Sequence, residues 1–418
     1  MSKNHLARAA LRCAPAVLMG LGFSWNAAAA VGFGVPHLLP TGESPRPVVA
    51  ADLNGDGQAD LVTVNYASRN VSVLAGKGRG AFAPSRNFEV GTYPDAVAVA
   101  DLNGDGRPDL IVANYQDGTV SVLLNTTPKG SASLAFAAQQ VFHVGAGPRA
   151  VAVADFDGDG RPDLVVANFS DNSLSLLLNT TPAKAAVVSF GAQQKLPGGT
   201  GPKSLVAVDL NGDGRPDLAV ADISSDKLAL LMNTSAKGAA AIDFAAPVLL
   251  PMGRHPGAVA AADFNADGRP DLVLTNESDA TVSVLLNTTA AGAAAPSFAA
   301  RQDFAAGEEV CWAAVADVDG DGRPDIVAAN SGGDTASLLL NTTAAGAAAA
   351  SFAPQQRLST GAHPHAVAAA DFNGDGRIDL AVTLASDNSL AVLLNNAAGS
   401  APTHPAAAGR RVAAESGR

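Results

Sequence analysis

The hydrophobic positions of this chain fall in short runs, and the runs repeat. A stretch such as Ala96-Val97-Ala98-Val99-Ala100 is followed by an acidic loop and then by Leu110-Ile111-Val112-Ala113. A polar turn, Asn114-Tyr115-Gln116-Asp117-Gly118, leads to Val120-Ser121-Val122-Leu123-Leu124. A connector rich in Gly, Ala and Thr then reaches a last segment, Phe136 to Gly145. Each run has strand length and is bounded by turn residues. None has a 3.6-residue period or the length of a helix. The pattern predicts four strands per unit.

The acidic loop sets the period. The string D-x-[DN]-x-D-G-x-x-D starts seven times, at Asp52, Asp101, Asp155, Asp209, Asp263, Asp317 and Asp371, with a first step of 49 residues and then steps of 54. Four strands in about 50 residues is the arithmetic of a propeller blade. The first strand is almost all Ala and Val, which suits the innermost position and predicts burial on both faces near the axis. Last segments begin at Phe82, Phe136, Phe190, Phe244, Phe298 and Phe352, one fewer than the loops. Phe33 to Gly42 has the plan of Phe352 to Gly361, so it is expected to pair with Ser389-Leu394 and close the ring. The expected fold is therefore an all-β, seven-bladed β-propeller of four-stranded blades over residues 31–396.

The loops carry the clearest chemistry. In the second, Asp101, Asn103 and Asp105 place oxygens at alternate positions, the carbonyl of Arg107 adds another, and Asp109 closes the shell. Gly106 permits the bend. The other sets are Asp52, Asn54, Asp56, Gln58 and Asp60; Asp155, Asp157, Asp159, Arg161 and Asp163; Asp209, Asn211, Asp213, Arg215 and Asp217; Asp263, Asn265, Asp267, Arg269 and Asp271; Asp317, Asp319, Asp321, Arg323 and Asp325; and Asp371, Asn373, Asp375, Arg377 and Asp379. Several carboxylates with hard oxygen donors in a flexible loop select Ca²⁺. The loop is not an EF-hand, which needs Glu at position 12. Position 12 here holds Thr63, Val112, Val166, Val220, Leu274, Ala328 and Val382. A metal-free turn has no need of three or four clustered carboxylates, which would repel one another. About seven structural Ca²⁺ ions are expected.

Charge changes meaning in this light. The formal net charge is -12, and 23 of the 39 acidic residues lie in the loops. The acidity therefore belongs to the expected metal sites rather than to a partner surface. No basic run supports nucleic-acid binding, and the pI is about 4.9.

The beginning of the chain reads as a secretory signal over residues 1–30. Lys3, Arg8 and Arg12 precede the short apolar stretch Ala14 to Trp25, and Asn26 to Ala30 offers an Ala-x-Ala cleavage site. An exported protein, secreted, periplasmic or at the cell surface, is expected. Loss of that segment takes the charge from -12 to -15, and seven divalent ions would return it to about -1. No apolar run is long enough to span a membrane. Cys13 would leave with the signal, so Cys311 has no partner for a disulfide. Without disulfides, calcium becomes the expected staple. Residues 397–418, rich in Ala, Pro and Ser, are expected to be a disordered tail.

The outer-strand Phe, the Gly and Pro before the first strand (Gly91 and Pro94, Gly147 and Pro148), the acidic loop and the following Pro-Asp-Leu together resemble FG-GAP repeats, also called VCBS repeats, of the integrin α-subunit propeller type. The resemblance covers roughly residues 33 to 396. It implies loops that bind calcium structurally and an opposite face that binds partners. Relatives implied by it include adhesins, lectins and propeller domains of polysaccharide-degrading enzymes, and fold likeness does not choose among them. Gln58-Ala59 in the first loop, Ala266 in the fifth and Ile378 in the seventh depart from the pattern, and none removes a ligand.

The face opposite the loops holds the variable residues. Pro recurs seven positions before the loop at 45, 94, 148, 202, 256 and 364, with Val310 in the sixth unit. The next residues, Arg46, Asp95, Arg149, Lys203, Gly257, Cys311 and His365, are expected to ring the channel mouth. Trp312 and the cations Arg46, Arg149 and Lys203, with His365, form a candidate ligand site for acidic groups. The favoured reading makes Trp312 a local packing substitution and the charges ordinary rim residues. Tyr66, Tyr115 and Phe169 either extend this surface or, the favoured reading, pack between blades. Asn125, Asn179, Asn233, Asn287 and Asn341 each begin an Asn-Thr-(Thr/Ser) string, better read as turn residues than as glycosylation sites. No catalytic constellation is visible. The leading expectation is a non-enzymatic, monomeric interaction module for a protein or glycan. A lectin and a polysaccharide-degrading enzyme are the alternatives.

Overall fold

In the computed structural model, which describes residues 31–396, each acidic loop sits at a sharp reversal between two antiparallel strands. The innermost strands are Pro45–Ala51, Pro94–Ala100, Pro148–Ala154, Pro202–Val208, Pro256–Ala262, Val310–Ala316 and Pro364–Ala370. Each pairs with a second strand that begins at the last loop aspartate, as in Asp109–Asn114 and Asp163–Asn168. A third strand, such as Thr119–Leu123, and a four-residue outer strand, such as Gln140–His143, complete the blade. Seven such sheets form. The signal and tail expectations, residues 1–30 and 397–418, lie outside the described residues.

The ring closes as its two ends predict. His37–Pro40 pairs with Ser389–Leu393, Phe33 bridges Asn395, and the first innermost strand lies beside the seventh. The outer-strand phenylalanines do not start the outer strands proper. Each makes an isolated bridge across the connector, Phe136 with Asn125 for example, and the strand begins later, at Gln140.

Burial corrects one expectation. The second strand, not the innermost, is buried along its whole length in all seven blades. The innermost strands keep half-buried positions, such as Val49, Ala50 and Ala51. The reason is geometric: the innermost strand has a hydrogen-bonding partner on one side only, and small side chains do not fill the axis.

The core is divided among the blade interfaces. Val62, Val64, Val71 and Val73 of the first blade pack with Val97, Leu110, Val112 and Leu123 of the second. Leu39, Ala366 and Leu390 of the seventh pack with Val48, Leu61 and Leu74 of the first. Edge-to-face phenylalanine pairs reinforce the interfaces, as between Phe156 of the third blade and Phe244 of the fourth. Each blade is thus held only by its two neighbours, and any lost blade would expose two apolar faces.

Candidate functional site: the acidic loops and the axial well

The reversal that makes each loop is built by its own aspartates. In the second loop, Asp101 Oδ1 accepts from the Asp105 amide at 3.0 Å and Oδ2 from the Gly106 amide at 2.7 Å. The Asn103 side chain accepts from the same Asp105 amide at 3.2 Å. Gly104 and Gly106 lie in the left-handed region, at φ +67° and +88°, where a Cβ is disfavoured. Ala266 takes the same turn at φ 51° in the fifth loop. The last aspartate is buried: Asp109 Oδ2 accepts from the Leu102 amide at 2.9 Å and Oδ1 from the Asn125 amide at 2.8 Å. The same pair of bonds recurs at Asp60, Asp163, Asp217, Asp271, Asp325 and Asp379.

Burial raises the pKa of these last aspartates, and the neighbouring loop carboxylates add to it. Asp109, Asp163, Asp217 and Asp325 are pushed up to about 7, and Asp60, Asp271 and Asp379 to about 6, although two amide bonds oppose the shift at each. These loops are therefore strained electrostatically when no cation stands beside them. In the third loop carboxylate oxygens of Asp155, Asp157 and Asp159 lie within 4.8 Å of one another, and in the sixth those of Asp317, Asp319 and Asp325 do. In the fifth loop Asn265 Oδ1 is buried without a hydrogen-bond partner. An all-oxygen donor set with a free acceptor fits a hard divalent cation.

The position-7 arginine does more than offer a carbonyl. Arg107, Arg161, Arg215, Arg269, Arg323 and Arg377 each pair with the position-5 aspartate of their own loop. Nε also reaches the carbonyl that ends the third strand, as from Arg107 to Asn125 at 2.7 Å. Six loops thus carry one internal counterion, which the charge count from sequence did not assign to them. Gln58 leaves the first loop without it.

The loops also join the blades. The Asn54 carbonyl accepts from the Gly130 amide of the next blade at 2.7 Å, and Asn54 Nδ2 donates to the Ser131 carbonyl at 3.0 Å. Asn125, Asn179, Asn233, Asn287 and Asn341 are buried there. Asn125 Nδ2 donates to Leu53 of the preceding blade at 2.7 Å, and Asn125 Oδ1 accepts from the Thr127 amide. The turn expectation for these residues therefore holds, with an added role between blades.

At the opposite face, the structure brings the expected mouth residues together. Arg46, Asp95, Arg149, Lys203, Gly257, Cys311, Trp312 and His365 line one well of about 70 Å³. Trp312 is half-buried and packs against the sixth–seventh and seventh–first interfaces. Asp95 bonds Arg46 Nη1 at 2.8 Å and lies 3.7 Å from Arg149 Nε. Lys203 pairs with Glu277. Burial first, then Arg46, Lys203, His363 and Arg149, push His365 down to about 3, so its imidazole is neutral.

The aromatic residues serve the arginines. Arg46 lies 4.0 Å over Tyr66, which stacks on Tyr93 at 4.7 Å. Arg149 sits between Phe169, at 4.2 Å, and Tyr115, at 5.2 Å. Tyr93 escaped the sequence reading because its neighbour comes from another blade. A second groove of about 490 Å³ adjoins the well, lined by Arg254, Glu277, Ser278, Glu308, Glu309, Cys311 and Ser331 among others. Burial pushes the Cys311 thiol up, against the opposing pull of Ser331, whose Oγ lies 3.1 Å from Sγ, and of Lys203.

Among the described residues, no helix is long and apolar enough to cross a membrane. No curated protein matches the chain at a significant level. Solved structures resemble the chain at low identity. BBS1N in complex with ARL6DN, from a lead-soaked crystal, is 12% identical with a TM-score of 0.57, over 87% of this chain and 98% of that one. A putative 6-phosphogluconolactonase from Bacteroides fragilis is 14% identical with a TM-score of 0.55, over 77% and 86%. An Agrocybe aegerita lectin that recognises non-reducing terminal N-acetylglucosamine is 18% identical with a TM-score of 0.49, over 77% and 81%. The FG-GAP-like repeat matches residues 52–112, 101–166, 155–220, 209–274, 263–328 and 317–382, each match running from one acidic loop past the next. With those matches covering most of the ring, the chain belongs to the FG-GAP-like repeat family.

Proposed function

We propose that this protein is an exported, monomeric interaction module whose acidic loops hold about seven structural Ca²⁺ ions and whose opposite face binds a protein partner. The observation that carries the reading is the division of labour between the two faces. On one face the loops, with their buried aspartates of raised pKa, knit blade to blade. On the other, arginines, Trp312 and aromatic rings surround a well that carries no acidic loop.

A divalent ion in each loop would relieve the carboxylate repulsion and return the buried aspartates to their charged form. The donors would be the side chains at positions 1, 3, 5 and 9 and the carbonyl at position 7. One structural neighbour was crystallised with a protein partner, and its likeness to this chain is one of fold only. A glycan ligand is the competing reading, and an enzyme has no catalytic constellation to support it among the described residues.

Affinity capture with the full chain in calcium tests the proposal. Binding should be lost on Trp312→Ala or Arg149→Ala and kept in variants of the loop face such as Lys129→Ala. A partner that survives both face variants would contradict it. A glycan array that lights up while no protein is retained would move the function to the lectin reading.

A further inference from the structure

We propose that the axial well is a carboxylate receptor, built to take one aspartate or glutamate side chain of a partner protein, with Arg149 as its fork. The inference rests on the reading of this face as the interaction face and adds what the partner must present.

The charges around the well do not balance. Asp95 is the one carboxylate shared by two guanidinium groups, hydrogen-bonded to Arg46 and 3.7 Å from Arg149. Lys203 is answered by Glu277, and the His365 imidazole is neutral. One positive charge is left over, on Arg149. Among the described residues its guanidinium makes no hydrogen bond, and Nε is shielded from solvent without a partner.

Arg149 is nevertheless held in place. The rings of Tyr115 and Phe169 flank it, so its plane is set before any ligand arrives. A planar fork with uncommitted donors matches a carboxylate in two parallel hydrogen bonds. The well is narrow, about 70 Å³, and admits a small group such as a side-chain carboxylate.

The surroundings favour a protein as the source. The chain has three Tyr, and all of them, Tyr66, Tyr93 and Tyr115, stand with Arg46 and Arg149 on this face. Trp312 lines the well itself. Tyr, Trp and Arg are the residues that dominate binding energy at protein interfaces.

The test uses the full-length protein in calcium, carrying Trp25→Phe so that Trp312 is the only indole. Its fluorescence is followed during titration with N-acetyl-glutamate methylamide and with the isosteric N-acetyl-glutamine methylamide. The glutamate probe should give a saturable change, with the glutamine probe weaker by roughly tenfold or more. Arg149→Gln should abolish the difference between them. Asp95→Asn, which frees both guanidinium groups, should tighten the glutamate probe. If Arg149→Gln melts early, Arg149→Lys keeps the charge, removes the fork and should still weaken the glutamate probe. Equal responses to the two probes, or undiminished binding by the Arg149 variants, would overturn the proposal. Inorganic phosphate binding as well as the glutamate probe would overturn it in favour of a general anion trap, and tighter binding of glucuronate would assign the well to an acidic sugar. Failure here with partner capture intact leaves the interaction-face reading standing.

Discussion

Asn179 Nδ2, in the third blade, donates a hydrogen bond of 2.9 Å to the carbonyl of Leu102, in the acidic loop of the second. The same side chain donates to Pro162 at 3.0 Å, and the Asn179 amide donates to Asp163 Oδ1 at 2.7 Å. One buried asparagine therefore ties its own loop to its neighbour's. Equivalent bonds recur from Asn125, Asn233, Asn287, Asn341 and Asn395, so six of the seven interfaces carry the clamp. At the seventh, between the last blade and the first, Gly76 stands in the place of that asparagine.

Asn179→Ala should thus destabilise the fold without touching a loop carboxylate. It leaves the buried Leu102 carbonyl and the part-buried Pro162 carbonyl without this donor, at a cost of about 1–3 kcal/mol for a buried unsatisfied group. Chemical denaturation at saturating calcium checks this. Thr180→Ala, at an exposed neighbour in the same string, should change the midpoint far less.

Much of the architecture was legible in the sequence because the repeat is nearly exact in length. The seven loops, the strand count and the closure by Phe33 to Gly42 all follow from register alone. The mouth residues were also legible, since the position after the recurring Pro is carried by symmetry to one place. What could not be read depends on the neighbouring blade. The bond from Asn179 to Leu102 joins residues 77 apart. Arg149, in the third blade, reaches the Tyr115 ring of the second. The pairing of Arg107 with Asp105 was hidden for another reason: a loop arginine valued for its carbonyl gave no sign of where its side chain would fold back. The innermost strand was misjudged because an Ala/Val composition does not say whether the axis is filled.

A second prediction concerns the fourth blade. Five blades end their second strand in a buried asparagine, whose Nδ2 bonds a serine of the third strand, as Asn168 does to Ser175 at 2.8 Å. The fourth has Asp222, buried beside Gly199 with Oδ1 lacking a hydrogen-bond partner. Burial raises its pKa to about 7, against the opposing pull of the Thr200 amide and Lys227. An acid whose folded pKa lies above its unfolded value lends stability that is complete below about 4 and lost as pH rises through about 7. At saturating calcium, the wild type should therefore lose melting temperature across that window. Asp222→Asn should lose less and exceed the wild type at pH 8. Parallel pH profiles for the two proteins would contradict the assignment.

Closure yields a third prediction. His37–Pro40 covers the edge of Ser389–Leu393, and Leu39 packs into the interface of the seventh and first blades. Deleting residues 31–41 should uncover that edge and lower the melting temperature. It should also produce concentration-dependent self-association on size-exclusion chromatography, because an open strand edge templates pairing.

Core packing gives a fourth. Leu164 is fully buried at the interface of the second and third blades. Leu164→Ala should cost about 2–5 kcal/mol by urea denaturation. Leu249→Ala, on an exposed outer strand, should change the midpoint little.

If the acidic loops are calcium staples, the full-length protein should unfold at a higher temperature with calcium than after chelation. Binding to the native state alone raises stability by mass action, by about 2.7 kcal/mol for one site at a hundredfold excess over Kd. The melting temperature should rise with calcium through the range of about 10⁻⁴ to 10⁻³ M common to extracellular modules. Calorimetry should give a stoichiometry near seven. A chelated protein that melts at the same temperature as the calcium-loaded one would contradict the staple role.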